Sequence, residues 1–329
     1  MTPPPGGSIL PALTRSSRAD VARATAWGGF IAALVLAGIY VGSRRLRDFD
    51  AALVPYAGAS VFSAFGLGYR YAMWLTKPPT RRYWRRGWEL FLAPSRIAGN
   101  LSRLAGLFAV NFVAQRFIER RSPLRWAAHW CLAWGCVLAA AVTFPLSFGW
   151  VHFETSGDAL ERYQAFVFGL HVFSFDLDSA LAPVVFNILD ISAVLVIAGV
   201  TMAMWRRGRD RGALAVQQLG DDLLPLVLLF SVSITGLFLT VSTHLMRGLH
   251  FVFLSQLHAV TVIFTLLYLP FGKFFHIFQR PAQLGVRYEG VRSDEAPTPD
   301  ARIHYQDVCP PCRRKNLALT QDALWRRGA

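Results

Sequence analysis

The chain has 329 residues, of which 53% are apolar and 13% aromatic, and its mean hydropathy is +0.35. This composition excludes an ordinary soluble domain. The formal net charge of +14 could indicate a nucleic-acid-binding protein. However, the arginines crowd the loops beside apolar stretches instead of forming a separate basic domain, so the charge favours a membrane protein that does not bind nucleic acid.

Six stretches of about 20 residues are almost free of charge, and each is long enough to cross a hydrocarbon core roughly 30 Å thick. They are residues 24–43, 51–69, 126–151, 179–205, 223–243 and 249–272. Lipid offers no partner for backbone polar groups, so each stretch should be helical. The sequence therefore predicts an all-α fold, a polytopic bundle of six transmembrane helices in contact with lipid. The first span is too long for a signal-peptide core and is predicted to be a membrane anchor.

The charges of the loops predict the orientation of the bundle. Residues 77–125 hold eleven Lys and Arg against two Glu, whereas residues 151–183 hold Arg162 against five acidic residues. The positive-inside rule makes the first loop cytoplasmic and the second external, with both termini in the cytoplasm of a bacterial-type inner membrane. Arg44, Arg45 and Arg47, in an external loop, are exceptions.

The predicted organisation has five parts. Residues 1–23 form a disordered N-terminus, 24–75 two transmembrane helices, 76–125 a basic cytoplasmic loop, 126–280 a four-helix bundle and 281–329 a cytoplasmic tail. The basic loop carries apolar residues at helical spacing, which predicts an amphipathic helix that either lies on the headgroups or docks a cytoplasmic partner. These residues are Ile97, Leu101, Leu104, Leu107, Phe108, Phe112 and Val113. Residues 151–183 mix carboxylates with aromatics and predict a short element on the outer interface.

Two histidines of the last span are the strongest candidate ligands. His258 and His276 are 18 residues apart, which on one continuous helix is five full turns, or about 27 Å on a single face. That spacing suits two stacked b-type haems, each of which needs two neutral imidazoles from different helices. The alternative is that these are interfacial histidines with ordinary hydrogen bonds. The other histidines, His171, His250 and His304, are predicted to lie on the surface.

Each haem then needs a second ligand. His129, at the cytoplasmic start of the third span, is the predicted partner of His276. For the outer haem, His152 after the third span and His244 after the fifth both approach the depth of His258. His152 is preferred because the third span would then supply one ligand to each haem.

The predicted tail contains the sequence Cys309-Pro310-Pro311-Cys312. Two cysteines at this spacing are half of a zinc or iron–sulfur site. The alternatives are a redox-active dithiol and a simple contact made by the tail.

This layout resembles the dihaem cytochrome b subunits typified by the gamma subunit of respiratory nitrate reductase. The resemblance covers spans two to six, and the family's last helix carries two haem histidines 18 residues apart, as His258 and His276 are. Its first haem helix follows a cytoplasmic loop, as the helix of His129 does. In the family the second ligand of that helix comes sooner, whereas residues 131–148 contain no histidine. The first span and the two-cysteine tail also fall outside the pattern.

The resemblance implies a quinol-oxidising electron-transfer subunit with two haems b. Electrons would pass inward to a cytoplasmic iron–sulfur subunit, together with a molybdopterin-type subunit that carries the substrate chemistry. Quinol oxidation needs a proton acceptor, and Asp190 is the candidate because it is the only carboxylate inside a span. Asp190 could instead be a buried residue bonded to Asn187, Ser192 or a neighbouring helix.

Two other functions compete with electron transfer. A transporter would show inverted repeats and helices broken at mid-membrane. A haem-free anchor for a soluble oxidoreductase would depend on the basic loop and the tail alone.

Overall fold

The computed structural model describes residues 17–92, 97–156, 161–209 and 219–280. The helices of this part of the chain are α1 (Arg18–Gly42), α2 (Val54–Leu75), α3 (Pro78–Phe91), α4 (Ile97–Phe108), α5 (Arg116–Glu119), α6 (Pro123–Ser147), α7 (Leu181–Arg209), α8 (Leu224–His244) and α9 (Phe251–Tyr268). Six of them, α1, α2 and α6 to α9, are long and apolar enough to cross a membrane. The six predicted spans are therefore all observed as helices.

The first helix begins earlier than predicted. Ser17 caps α1, because its side chain accepts from the backbone N–H of Asp20 while the Asp20 carboxylate bonds back to Ser17. This reciprocal capping box satisfies two N–H groups that the first turn leaves free. Residues 18–23 are thus helical, and the prediction that they are disordered is wrong.

The long helices pack side by side in the order α1, α2, α9, α8, α7, α6. Small residues allow the closest contacts, as is usual between membrane helices. A Cβ atom added to Gly135 of α6 would lie 2.6 Å from Val196 of α7. In addition, the hydroxyl of Ser192 donates across this interface to the carbonyl of Gly135 at 2.8 Å.

The two ends of the bundle differ. Between α2 and α6 lie α3, α4, a π-helical turn at Ala109–Val113 and α5, and this end is called the basic end. Helix α4 and the π turn occupy the position predicted for the amphipathic helix. The opposite end, between α6 and α7, is called the sheet end.

The predominantly helical fold agrees with the prediction, and the sheet end adds one small sheet that was not predicted. Three antiparallel strands, β1 (Val151–Ser156), β2 (Arg162–Val167) and β3 (Leu170–Asp176), follow each other in sequence order. Phe168 and Gly169 join β2 to β3 with φ of 51° and 77°, as a tight hairpin turn requires. One face of the sheet packs on the start of α7 through an aromatic cluster of Phe153, Tyr163, Phe175 and Phe186.

The loop after α1 approaches the sheet in an unusual conformation. Arg44, Arg45 and Leu46 all have positive φ. Arg44 donates two hydrogen bonds of 2.6 Å to Asp48 and closes the loop. The hairpin tip lies directly on Arg44, since a Cβ atom at Gly169 would be 2.4 Å from the Arg44 Cδ. The three exceptional arginines thus belong to a folded loop that is held partly by this ion pair.

The ion pair predicts how this loop responds to pH. The hydrogen bonds from Arg44 lower the pKa of Asp48 below its ordinary value of 3.8. The ionised carboxyl of Asp48 stabilises the loop at pH values above its ordinary pKa. This stabilisation is lost as the pH falls through the lowered pKa of the folded protein. Hydrogen exchange of residues 43–48, relative to intrinsic rates, should therefore accelerate below about pH 4. The Asp48→Asn variant should show no such dependence, and an equal acceleration in both proteins would contradict the prediction.

The last long helix also departs from the prediction. Helix α9 ends at Tyr268, two residues before Pro270, which has no N–H and disfavours helix in the residue before it. A 3₁₀ turn at Lys273–Phe275 follows, and residues 276–280 are helical again. The prediction that His258 and His276 share one face of a continuous helix is therefore wrong.

Arg70 of α2 holds the broken end of α9. Its Nη1 donates to the carbonyl oxygens of Pro270 at 2.5 Å and Gly272 at 3.2 Å. Its Cζ also lies 4.4 Å from the centre of the Phe275 ring. These contacts satisfy carbonyl groups that the break leaves without helical partners, and they fix the chain that leads directly to His276.

Candidate haem site at the basic end

His129 lies in the second turn of α6 and is half-buried. Its Nδ1 is 2.7 Å from Oε1 of Gln115. An amide oxygen only accepts hydrogen bonds, so Nδ1 carries the proton and Nε2 keeps a free lone pair. Histidines that bind metals commonly have this arrangement, in which the second ring nitrogen donates to a carbonyl or carboxylate oxygen.

Gln115 was not among the residues selected from the sequence. It is 4% exposed and has a left-handed backbone with φ of 53°, a conformation that costs a non-glycine residue about 1–3 kcal/mol. Two indole N–H groups of α6 hold the chain beside it. Trp126 donates to the carbonyl of Ala114 at 2.8 Å and Trp134 to that of Val113 at 3.3 Å. Gln115 and His129 are 14 residues apart in the chain, so no local sequence pattern predicts their contact.

His276 has the same arrangement. Its Nδ1 hydrogen-bonds to the carbonyl oxygen of Lys273, which can only accept, so Nε2 is again free. Although the side chain is exposed, protein crowds it closely enough that desolvation lowers the pKa of its imidazole. The hydrogen bond to the Lys273 carbonyl raises this pKa and the positive charges of Arg280 and Lys273 lower it, so that the net shift is downward. His276 is therefore neutral at neutral pH, which is the form that binds iron.

The structure brings these two histidines together. The imidazoles of His129 and His276 are near enough to interact electrostatically, and Arg280 interacts with both. The guanidinium of Arg280 is anchored 5.0 Å above the ring of Phe117 in α5. We call His129 and His276 the basic-end histidine pair. Two neutral imidazoles from different segments, with free Nε2 atoms and a cation beside them, fit a haem with its anionic propionates.

The six spans differ in burial. In α6 and α9, which carry His129 and His258, 6% of the apolar window is buried, against 17–22% in the other four spans. Across the described part of the chain, no three His, Cys, Asp or Glu side chains cluster as a directly coordinated metal would need. A haem iron needs only two such side chains.

His258 lies about two turns inside α9 and faces α8. Its Nδ1 is 3.0 Å from the hydroxyl of Thr235, which donates its own proton to the carbonyl of Ser231 at 2.7 Å. The same hydroxyl also lies 3.1 Å from the carbonyl of Val232 and 3.2 Å from the hydroxyl of Thr261, so His258 belongs to a polar cluster between α8 and α9. A Cβ atom at the neighbouring Gly236 would lie 3.4 Å from Cε1 of His258, an ordinary van der Waals distance, so the ring lies against this part of α8.

The two candidate partners of His258 lie farther toward the sheet end. Helix α6 ends at Ser147, so His152 is in β1 and does not end the third span as predicted. Its ring stacks on Phe166 at 5.1 Å. His244 is the last residue of α8, nine residues beyond Thr235, or about 13 Å along the helix. Neither reaches the level of His258.

His152 has polar neighbours of its own. Its ring nitrogens are 3.8 Å from Asp48 and 3.5 Å from Glu154. They are buried, and within the described chain neither has a hydrogen-bond partner.

Asp190 is bonded to a neighbouring helix. Its Oδ1 accepts from the hydroxyl of Thr240 in α8 at 2.8 Å. The other two suggested partners are engaged elsewhere, Asn187 with the carbonyl of Pro183 and Ser192 with that of Gly135. Asp190 thus links α7 to α8 in the half of the bundle nearer the sheet end.

An apolar cleft opens at the sheet end between α8 and α9. One polar side chain, His250, projects among its apolar lining residues, and the backbone of His250 is left-handed with φ of 60°. The sequence predicts His250 to be a surface histidine, and it is indeed exposed. The cleft is lined by Phe238, Val241, Met246, His250, Phe253 and Leu254. His171, also predicted to lie on the surface, is exposed and bonds Ser174.

The remaining candidates, His304, Cys309 and Cys312, lie outside the described residues. Comparison of the chain with protein-family models, curated proteins and solved structures finds no match. The function is therefore argued from the site itself.

Proposed function

We propose that the protein is a membrane-embedded b-type cytochrome subunit that transfers electrons between the quinone pool and a cytoplasmic iron–sulfur partner. One observation carries the proposal. In the basic-end histidine pair, each Nδ1 donates to a carbonyl oxygen, which leaves Nε2 as the lone-pair nitrogen of two imidazoles that interact electrostatically.

His129 and His276 would hold the inner haem, with Arg280 beside its propionates. His258 would supply one ligand of a second, outer haem, and the candidates for the other, His152 and His244, lie farther toward the sheet end. Haem b supplies a one-electron redox centre when bound. The protein's own contribution is to keep these imidazoles neutral and oriented.

The bundle would lie in a bacterial-type inner membrane with the basic end in the cytoplasm. Exposed Arg81 and Arg85 of α3 would then face the cytoplasm, with Arg85 also paired to Glu89 at 2.9 Å. This surface suits an acidic patch on an iron–sulfur subunit, which a molybdopterin-type subunit would accompany. Cys309 and Cys312 would add a zinc or iron–sulfur contact to the same partner.

Quinol would bind at the sheet end, in the cleft between α8 and α9. Apolar walls suit the isoprenoid and ring of a quinol, and a few polar groups suit its hydroxyls. Oxidation releases two protons with two electrons, so a proton acceptor must stand near the ring. Asp190 is the acceptor selected from the sequence, and His250 becomes a second candidate because it lines the cleft.

Substitution should distinguish the two acceptors. A general base contributes about 10²–10⁴-fold, so replacing the true acceptor should slow reduction of the haem by a quinol analogue by about 100-fold. Stopped-flow absorbance of Asp190→Asn and His250→Gln measures this rate, and full reduction by dithionite in each variant is the control. Because Asp190 bonds Thr240 outside the cleft, we expect His250→Gln to be the slow variant. Wild-type rates in both would remove the quinol site from this cleft.

A further inference from the structure

We propose that Gln115 is a positioning residue for the inner haem, which holds the His129 imidazole through Nδ1 and sets the reduction potential of the iron. This inference rests on the proposed function. Gln115 does not touch the iron in this scheme, because it acts through His129.

The contact between Gln115 and His129 combines a buried side chain with a strained backbone, which is not typical of surface packing. A 4% exposed amide is placed 2.7 Å from Nδ1 by a backbone in the left-handed region. Trp126 and Trp134 of α6 bind the carbonyls of the two residues before Gln115. The chain at Val113 and Ala114 is therefore attached to α6 at one residue before His129 and at one residue after it. This attachment keeps the Gln115 amide at the imidazole, although the left-handed backbone of Gln115 costs free energy.

The hydrogen bond has an electronic consequence. An acceptor at Nδ1 draws the proton away from the ring and makes Nε2 a stronger donor to iron. A stronger donor stabilises the ferric state and lowers the reduction potential. A carboxylate at this position would strengthen the effect, and an apolar side chain would remove it.

The two histidines of the pair differ in how this bond can be changed. The acceptor for His276 is the backbone carbonyl of Lys273, which every residue at position 273 would retain. The acceptor for His129 is a side chain, so substitution changes it without changing a ligand. Gln115 is thus the position where sequence variation can tune the inner haem.

The test compares Gln115→Met and Gln115→Glu with the wild type, using spectroelectrochemical titration of the purified full chain. Methionine keeps the length of the side chain but cannot accept, so the inner midpoint potential should rise and haem affinity should fall by about 10–100-fold. Glutamate should lower the potential. The matched control is Gln256→Met, at an exposed glutamine of α9, which should leave both quantities unchanged.

The inference predicts that the midpoint potential rises in Gln115→Met and falls in Gln115→Glu. If Gln115 only packed against His129, both substitutions would shift the potential in the same direction or leave it unchanged. Unchanged potentials in haem-loaded Gln115→Met and Gln115→Glu would overturn the inference and leave the proposed function intact. If Gln115→Met fails to fold, the nearly isosteric Gln115→Glu still decides the matter by its own shift. A wild type that binds no haem would instead overturn the proposed function, and this inference with it.

Discussion

Replacement of His129 or His276 by alanine is expected to remove the inner haem almost completely while the protein stays in the membrane. Either substitution deletes one of two iron ligands, and the remaining imidazole cannot hold a six-coordinate, low-spin iron alone. The measurement is haem content per chain by pyridine haemochrome, together with the EPR spectrum of the oxidised protein. His171→Ala, at an exposed histidine of β3, is the matched control and should retain all haem.

The same series identifies the ligands of the second haem. His258→Ala should remove the outer centre and leave the inner one. His152→Ala and His244→Ala, made separately, show which residue completes the outer site, because loss of that centre should accompany only one of them. Full haem content in both His129→Ala and His276→Ala would contradict the assignment of the inner site.

The second large effect is expected from Gly199→Leu, at the contact of α7 with α6. A Cβ atom at Gly199 would lie 2.7 Å from Leu132 Cγ and 2.8 Å from the backbone oxygen of Ala128, the residue before His129. Relief of this clash must separate the helices, because a backbone atom cannot rotate away. Overpacking of this kind costs about 1–3 kcal/mol or more, and the displaced α6 should also lose haem.

Thermal unfolding in detergent, with haem content measured on the same samples, tests this prediction. Gly29→Leu in α1 is the control, since nothing lies within 4 Å of a Cβ atom there. A Gly199→Leu variant as stable and as haem-loaded as Gly29→Leu would show that α6 and α7 do not pack in this way.

Much of the helical framework follows from the sequence because lipid imposes a strong local constraint. A run of about 20 apolar residues has to be a helix, and all six spans are observed at the expected positions. The amphipathic helix of the basic loop is also observed, as α4, since its apolar spacing is a local signal.

Other features depend on weaker signals. In β1 and β2 apolar residues alternate with polar ones, as at Val151 and Phe153 in the first strand and Tyr163 and Ala165 in the second. This period of two is typical of a strand. The many aromatic residues of the segment made the alternation hard to recognise in the sequence. Pro270 could have indicated the end of α9, but the spacing of His258 and His276 suggested continuity.

Part of the candidate site could be predicted, namely His129 and His276 as a pair at one end of the bundle. Their orientation could not, because it depends on Gln115 and Arg70, which are distant in sequence from the residues that they contact, and on the turn at Lys273, which follows the unpredicted break in α9. The break in α9 lies near its basic end and not at mid-helix, so it gives little support to a transporter with a broken helix at the membrane midplane.

The most direct test of the proposal is the visible spectrum of the purified full-length protein, expressed with haem supplied, before and after reduction by dithionite. We predict a b-type α-band upon reduction, with two haems per chain at full loading and at least one held by His129 and His276. A well-folded protein whose reduced spectrum contains no α-band would contradict the proposal and favour a haem-free anchor.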